Sequence, residues 1–262
     1  MHPMSTTGPA PAGRELAIPS GDIRLAAYLV TSSHTTVRRP GLVLCHGFPM
    51  SPTQQVGFPG RGYIDLADRI AADTGWHVLT FSFRGTGRSE GNFSVAGWLA
   101  DLQAAISALR GFPSVDGVWL CGFAAGGALA LCAAGEDPAV RGVAAMSAPA
   151  DFGDRATDAR RFVAQARQVG AIRDADFPPD VEAWARELKD VRPLVMIAKI
   201  PPRPILLVHG ANDEVVPLID ARALADAAEG QVQLKVLAGA GHRLRHDPRA
   251  VALLLGWIDR QT

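Results

Sequence analysis

Apolar positions along this chain follow two periods, and the period switches repeatedly from one to the other. The opening runs ELAIP and IRLAAYLV are short and β-prone, and the SGD between them is a turn signal, so an antiparallel hairpin is expected first. GLVLCHGF (41–48) then reads as a buried strand, GYIDLADRIAADTG (62–75) as a helix with apolar residues three and four apart, and WHVLTFSF (76–83) as a further strand. In VAGWLADLQAAISALRG, residues Trp98, Leu102, Ala105, Ile106 and Leu109 form one stripe, and Gly111 and Pro113 end it. The same alternation continues through the strand GVWLCG, the helix AAGGALALCAAG and the strand VRGVAAMSAP.

The rhythm pauses after Asp151. RATDARRFVAQARQVG and VEAWARELKD read as amphipathic helices with no strand directly after them, so residues 153–193 are expected to form a helical cap inserted into one core of residues 14–152 and 194–262. Alternation resumes with the strand RPILLVHG, the helix LIDARALADAAEG, the strand VQLKVLAG and a last helix, AVALLLGWIDRQ. Strands alternating with helices imply an α/β fold: a mostly parallel sheet covered on both faces, with ligands bound at the carboxyl ends of its strands. Residues 1–13 are expected to be a disordered tail.

Composition narrows the class. With 262 residues, 48% hydrophobic and 20% charged, the chain suits one large α/β domain, and its formal net charge of zero gives no reason to expect a nucleic-acid or membrane partner. Cys45, Cys121 and Cys132 are too few and too apolar in setting for a disulfide framework, and there is no CxxC pair to suggest a metal. A cytoplasmic location is expected, since the start MHPMSTTGPAPAGRE lacks a signal-peptide pattern and no apolar run approaches the roughly 20 residues of a membrane span.

Candidate chemistry gathers at the expected strand ends: HGFPMSP (46–52), CGFAAGG (121–127), HGANDEVVP (209–217) and GAGHRLRHDP (239–248), with the Gly-rich RGTGRSEG (84–91) earlier in the chain. Four such loops in this order resemble the α/β-hydrolase superfamily over roughly residues 15–260, most of all its serine aminopeptidase, lysophospholipase and dienelactone-hydrolase-like branches. The resemblance implies hydrolysis of a small ester, thioester or amide with no metal and no organic cofactor. By it, Asp213 corresponds to the triad acid and His242 to the base, the imidazole taking a proton that the carboxylate helps to place. The backbone amides of Phe48 and Ala125 correspond to the oxyanion hole, and Gly122 and Gly126 to the small neighbours that a nucleophile elbow requires. The nucleophile position itself is Ala124.

Other residues compete for these roles. Asp151 follows a strand and is an alternative acid; His46, His209 and His246 are alternative histidines, the first two better suited to structural hydrogen bonds. Cys45 and Cys121 read as buried strand residues, while Ser51, Ser89 and Ser147 could approach the pocket without lying on an elbow. Arg155, Arg160, Arg161 and Arg167 of the cap could meet an acidic ligand or form a solvated face. Alanine at 124 leaves three readings open. It could replace the serine of an active hydrolase, mark a pseudoenzyme that binds a small acyl compound or a partner, or leave His242 and Asp213 as a base for water or a substrate C–H. As written, the chain is expected to form no acyl-enzyme, and the sequence assigns no oligomeric state.

Overall fold

The computed structural model describes residues 12–31, 37–51 and 60–261. Eight strands form one sheet in the order β1-β2-β4-β3-β5-β6-β7-β8. The hairpin at one edge pairs β1 (Ala12–Ser20) with β2 (Ile23–Thr31), and β2 also runs antiparallel to β4 (His77–Phe81). From β4 onward every pairing is parallel, through β3 (Arg39–Cys45), β5 (Val115–Phe123), β6 (Val140–Met146), β7 (Ile205–Gly210) and β8 (Gln233–Leu237). Parallel neighbours need crossovers, and helices supply them: α1 (Gly60–Thr74), α2 (Val95–Arg110), α3 (Ala125–Glu136), α8 (Leu218–Ala227) and, after the last strand, α9 (Pro248–Asp259).

The central strands are apolar at consecutive positions because both faces are covered. Odd positions of β3, Val43 and Cys45, join Leu79, Leu120 and Ala145 in a core under α2 and α3, while Leu42 and Leu44 join Val78, Cys121 and Ala144 in a second core under α1 and α9. A slip of one residue would exchange these two sets. At the far edge β8 has one neighbour, and its Val236 is exposed.

Between β6 and β7 the chain forms α4 (Gly153–Thr157), α5 (Ala159–Gln168), α6 (Val181–Asp190) and α7 (Pro193–Ile197). Asp180 caps α6 by accepting from the amides of Glu182 and Ala183. The expected single helix over 155–170 is divided at Asp158, whose carboxylate accepts from the Arg161 amide at 3.2 Å and starts a new helix there. Helix α7 is too short for a periodicity to reveal it. Strand β1 begins at Ala12, paired with Thr31, so the expected tail ends earlier than residue 13; the rest of it lies outside the described residues.

Topology selects where a ligand can sit. After β3 the chain crosses to β4 on one side, and after β5 it crosses to β6 on the other, so the loops leaving β3 and β5 part above adjacent strand ends. Cys45 pairs with Gly122, which brings the loop starting at His46 beside the turn at Ala124.

Candidate active site

The turn from β5 into α3 has a backbone that few residues accept. Ala124 sits at φ 49° and ψ −123°, a positive-φ conformation in which its Cβ crowds the neighbouring peptide groups. Small residues on either side make the turn possible: a Cβ on Gly122 would collide with the backbone of Gly126, and one on Gly126 would collide with the His46 carbonyl. Gly47 lets the neighbouring loop approach as well, since a Cβ there would lie 2.9 Å from the Ala124 methyl. As the first residue of α3, Ala125 has an amide with no acceptor inside the helix, at the end where the aligned peptide dipoles favour negative charge.

Asp213 and His242 come from separate loops, after β7 and β8, and meet. The imidazole Nδ1 lies 2.9 Å from Asp213 Oδ2 and 3.1 Å from Oδ1. An ionised carboxylate can only accept, so Nδ1 carries the proton and Nε2 is left as the basic nitrogen. The Asp213 side chain is fully buried, whereas that of His242 keeps 18% of its exposure. Burial alone pushes the Asp213 carboxyl upward, but hydrogen bonds from His242 and from the amides of Val216 and Val215 outweigh it and bring its pKa down to about 2. The carboxylate is therefore ionised at neutral pH, and the two amides, at 2.9 Å each, fix its orientation.

Ala124, Ala125, Phe48 and His242 line one cavity of about 240 Å³. Its inner wall is aromatic. Phe48 contacts Phe93 at 4.9 Å and Phe162 at 5.1 Å between ring centroids, and Phe93 packs against Trp98 at 4.8 Å. Asp151, Asp154 and Asp220 line another part of it. The arrangement brings the His242–Asp213 pair, the start of α3 and the Ala124 methyl to one cavity with both aromatic and acidic walls. Among the described residues no cluster of three or more His, Cys, Asp or Glu side chains could hold a metal ion.

A family sequence model, Alpha/beta hydrolase family, matches residues 42–253 and so spans all the loops that line this cavity. The chain belongs to the alpha/beta hydrolase family. YfhR of Escherichia coli O157:H7 is 29% identical over 169 residues, covering 64% of this chain and 53% of that protein. Esterase LipC of Mycobacterium tuberculosis is 30% identical over 139 residues, covering 48% of this chain and 33% of LipC. The chain thus matches about half the length of the first relative and a third of the second. Among solved structures, Est1E from Butyrivibrio proteoclasticus with ferulic acid bound superposes with a TM-score of 0.72 at 20% identity, over 94% of this chain and 97% of Est1E. The alpha/beta hydrolase GrgF from Penicillium sp. sh18 gives 0.71 at 19% identity, over 95% and 98% of the two chains. At these identities the structural likeness speaks for the hydrolase fold.

Of the competing residues described, Asp151 and Arg155 line this cavity and the others do not. His46 donates from Nδ1 to the Gly47 carbonyl at 2.8 Å and accepts the Phe83 amide at Nε2, and burial lowers its pKa to about 4, so it is a neutral strut beneath the loop. His209 is buried and donates from Nε2 to the Val216 carbonyl at 2.9 Å, supporting the loop that carries Asp213. His246 accepts from Arg245, and Asp151 spends one oxygen on the Gly153 amide while Asp213 takes the imidazole. Ser89 bonds the Ser82 carbonyl and the Ala26 amide. Ser147 is buried and lines no part of the cavity. Cys45, Cys121 and Cys132 are buried free thiols. In the cap segment, Arg155 stands over the Phe162 ring at 5.1 Å, Arg167 donates to the carbonyls of Ala175 and Phe177, and Arg160 and Arg161 are exposed.

Sequence reasoning missed Asp154, Asp220, Phe93 and Phe162 as lining residues. Asp220 lies in the first turn of α8, seven residues past Asp213, and no short motif marks an acid there. Trp98 was visible as part of a helical stripe, but the stripe alone assigns it to the core.

Proposed function

We propose that this chain binds a small acyl compound in an esterase-type pocket and does not form an acyl-enzyme. The observation that carries the proposal is a strained elbow at Ala124, φ 49°, at the wall of a cavity that also contains the base of an intact His242–Asp213 pair. The amides of Phe48 and Ala125 would receive the carbonyl oxygen, and residues 153–193 would act as the cap that selects the rest of the ligand. An esterase among the relatives and a ferulic acid complex among the structural neighbours support a small carbonyl ligand. No helix among the described residues is long and apolar enough to cross a membrane.

Losing the serine of a catalytic triad typically lowers turnover about a million-fold, and roughly a thousand-fold acceleration over water persists from oxyanion stabilisation and binding. The test is Ala124→Ser. The variant should react stoichiometrically with a fluorophosphonate, and His242→Ala in the same background should abolish the reaction. A folded Ala124→Ser protein that is never labelled would overturn the proposal.

A second reading has its own support, because Asp213 remains buried, ionised and bonded to His242 although no hydroxyl is present for the pair to activate. Such a pair can remove a proton from water or from a carbon acid. This activity would appear in the unaltered chain as pH-dependent turnover, without a covalent intermediate, and would vanish in His242→Ala.

A further inference from the structure

The cavity at Ala124 is electrically lopsided. Its described lining carries three carboxylates, Asp151, Asp154 and Asp220, against the single guanidinium of Arg155. None of the three acids forms an ion pair among the described residues. Their remaining contacts are backbone amides: Asp151 Oδ1 accepts from Gly153 at 2.6 Å and Asp220 Oδ2 from Ala150 at 3.2 Å. Arg155 is engaged elsewhere, donating to Gln165 Oε1 at 3.1 Å and covering the Phe162 ring. Asp220 bears the cost of this arrangement. Burial raises its pKa, and the charges of Asp151 and Asp154 raise it further, against partial relief from the Ala150 amide and His209.

The same cavity is walled by Phe48, Phe93, Trp98 and Phe162, whose area takes up an apolar body, and the guanidinium of Arg155 over the Phe162 ring shows that this wall accepts a cation. We infer that the ligand of this pocket is a small acyl compound bearing an ammonium group, with its carbonyl toward Ala124 and its positive charge between the acids and the aromatic wall. This inference rests on the proposal that the pocket is an acyl site and adds the charge class of its ligand. A free carboxylate on the ligand would meet the three acids and be repelled. Arg155 would have to leave Phe162 and Gln165 to offset that repulsion.

Three phosphonate esters of equal length test the inference in Ala124→Ser protein, one ending in trimethylammonium, one in tert-butyl and one in carboxylate. The labelling rate should be highest for the cationic probe, by roughly fivefold over the neutral one, with the anionic probe slowest. The ratio should shrink in about 0.5 M salt and approach one when Asp154→Asn and Asp220→Asn are added. Equal rates for the cationic and neutral probes would overturn the charge inference and leave the acyl site standing. Failure of all three in folded protein would remove the acyl site and the inference together. A readout that needs no serine is quenching of tryptophan fluorescence in the unaltered chain, where Trp98 lines the cavity: a quaternary-ammonium boronate should bind more tightly than its neutral isostere, and equal affinities would again refute the inference.

Discussion

Ala124→Gly isolates the cost of the elbow. At φ 49° and ψ −123° the alanine holds a backbone conformation that costs on the order of 1–3 kcal/mol for a residue with a Cβ. Glycine removes that cost, but it adds about 0.5–1 kcal/mol of backbone entropy to be lost on folding. It also gives up the contacts of a half-buried methyl, about 0.4 kcal/mol if half the usual value for a buried carbon is taken. Taking the middle of each range leaves a net gain of about 1 kcal/mol, which for a domain of this size corresponds to a rise of roughly 2–4 °C in Tm. Equilibrium denaturation in guanidinium, with Ala125→Gly as the control, is the suitable assay. Ala125 begins α3 and is not among the positive-φ residues, so glycine there should cost about 0.5–1 kcal/mol. If Ala124→Gly lost as much stability as Ala125→Gly, the elbow would be unstrained and the argument from retained geometry would fail.

Other measurements probe the supports of the site. Asp213 has a folded pKa of about 2 against an ordinary 3.8, so its contribution to stability is full above pH 3.8 and disappears as pH falls through 2. Asp213→Asn should therefore cost about 2 kcal/mol at pH 7 and much less at pH 2, as read from denaturant midpoints at a series of pH values. Asp101 is wholly buried and paired with Arg84 at 2.7 Å, with Ser20 donating to the same carboxylate; Arg84→Met should lose about 3 kcal/mol in urea melts, and Arg84→Met with Asp101→Leu should recover most of it. Burial raises the thiol pKa of Cys45, Cys121 and Cys132, that of Cys132 to about 12, so a thiol reagent should titrate all three in denaturant and none at a comparable rate in native protein at pH 8.

How far the sequence revealed this molecule depended on the range over which each signal acts. Buried strands such as VWLCGF and amphipathic helices such as VEAWARELKD depend on local periodicity, and both occur where that periodicity places them. Asp158 illustrates the limit: the apolar stripe passes through it, yet a carboxylate that bonds an amide three residues ahead restarts the helix. The elbow was legible because glycines two residues to either side of position 124 are a local steric requirement. Of the acid wall only Asp151 was legible, as an acid after a strand; Asp154 follows it and Asp220 lies in the first turn of α8, and only the parallel pairing of β6 with β7 brings the three to one cavity. His209 had the reverse problem, since its position at a strand end suits chemistry as well as support. Its bond to the Val216 carbonyl decides for support.

The turn at Ala124 is built without any hydroxyl. Gly122 and Gly126 allow two backbones to touch, the Ala124 amide is held by the Met146 carbonyl at 2.8 Å, and the Ala124 carbonyl accepts from Gly127 and Ala128 to start α3. Asp213 is likewise positioned by the amides of its own loop before it meets His242. Each part is therefore secured by main-chain contacts that are independent of the side chain at position 124. On the proposed reading, a change of that side chain would separate acylation from the scaffold. Family membership accordingly accounts for the fold of this chain, and on the reading proposed above the side chain at position 124 would decide whether the pocket turns over a substrate or only holds it.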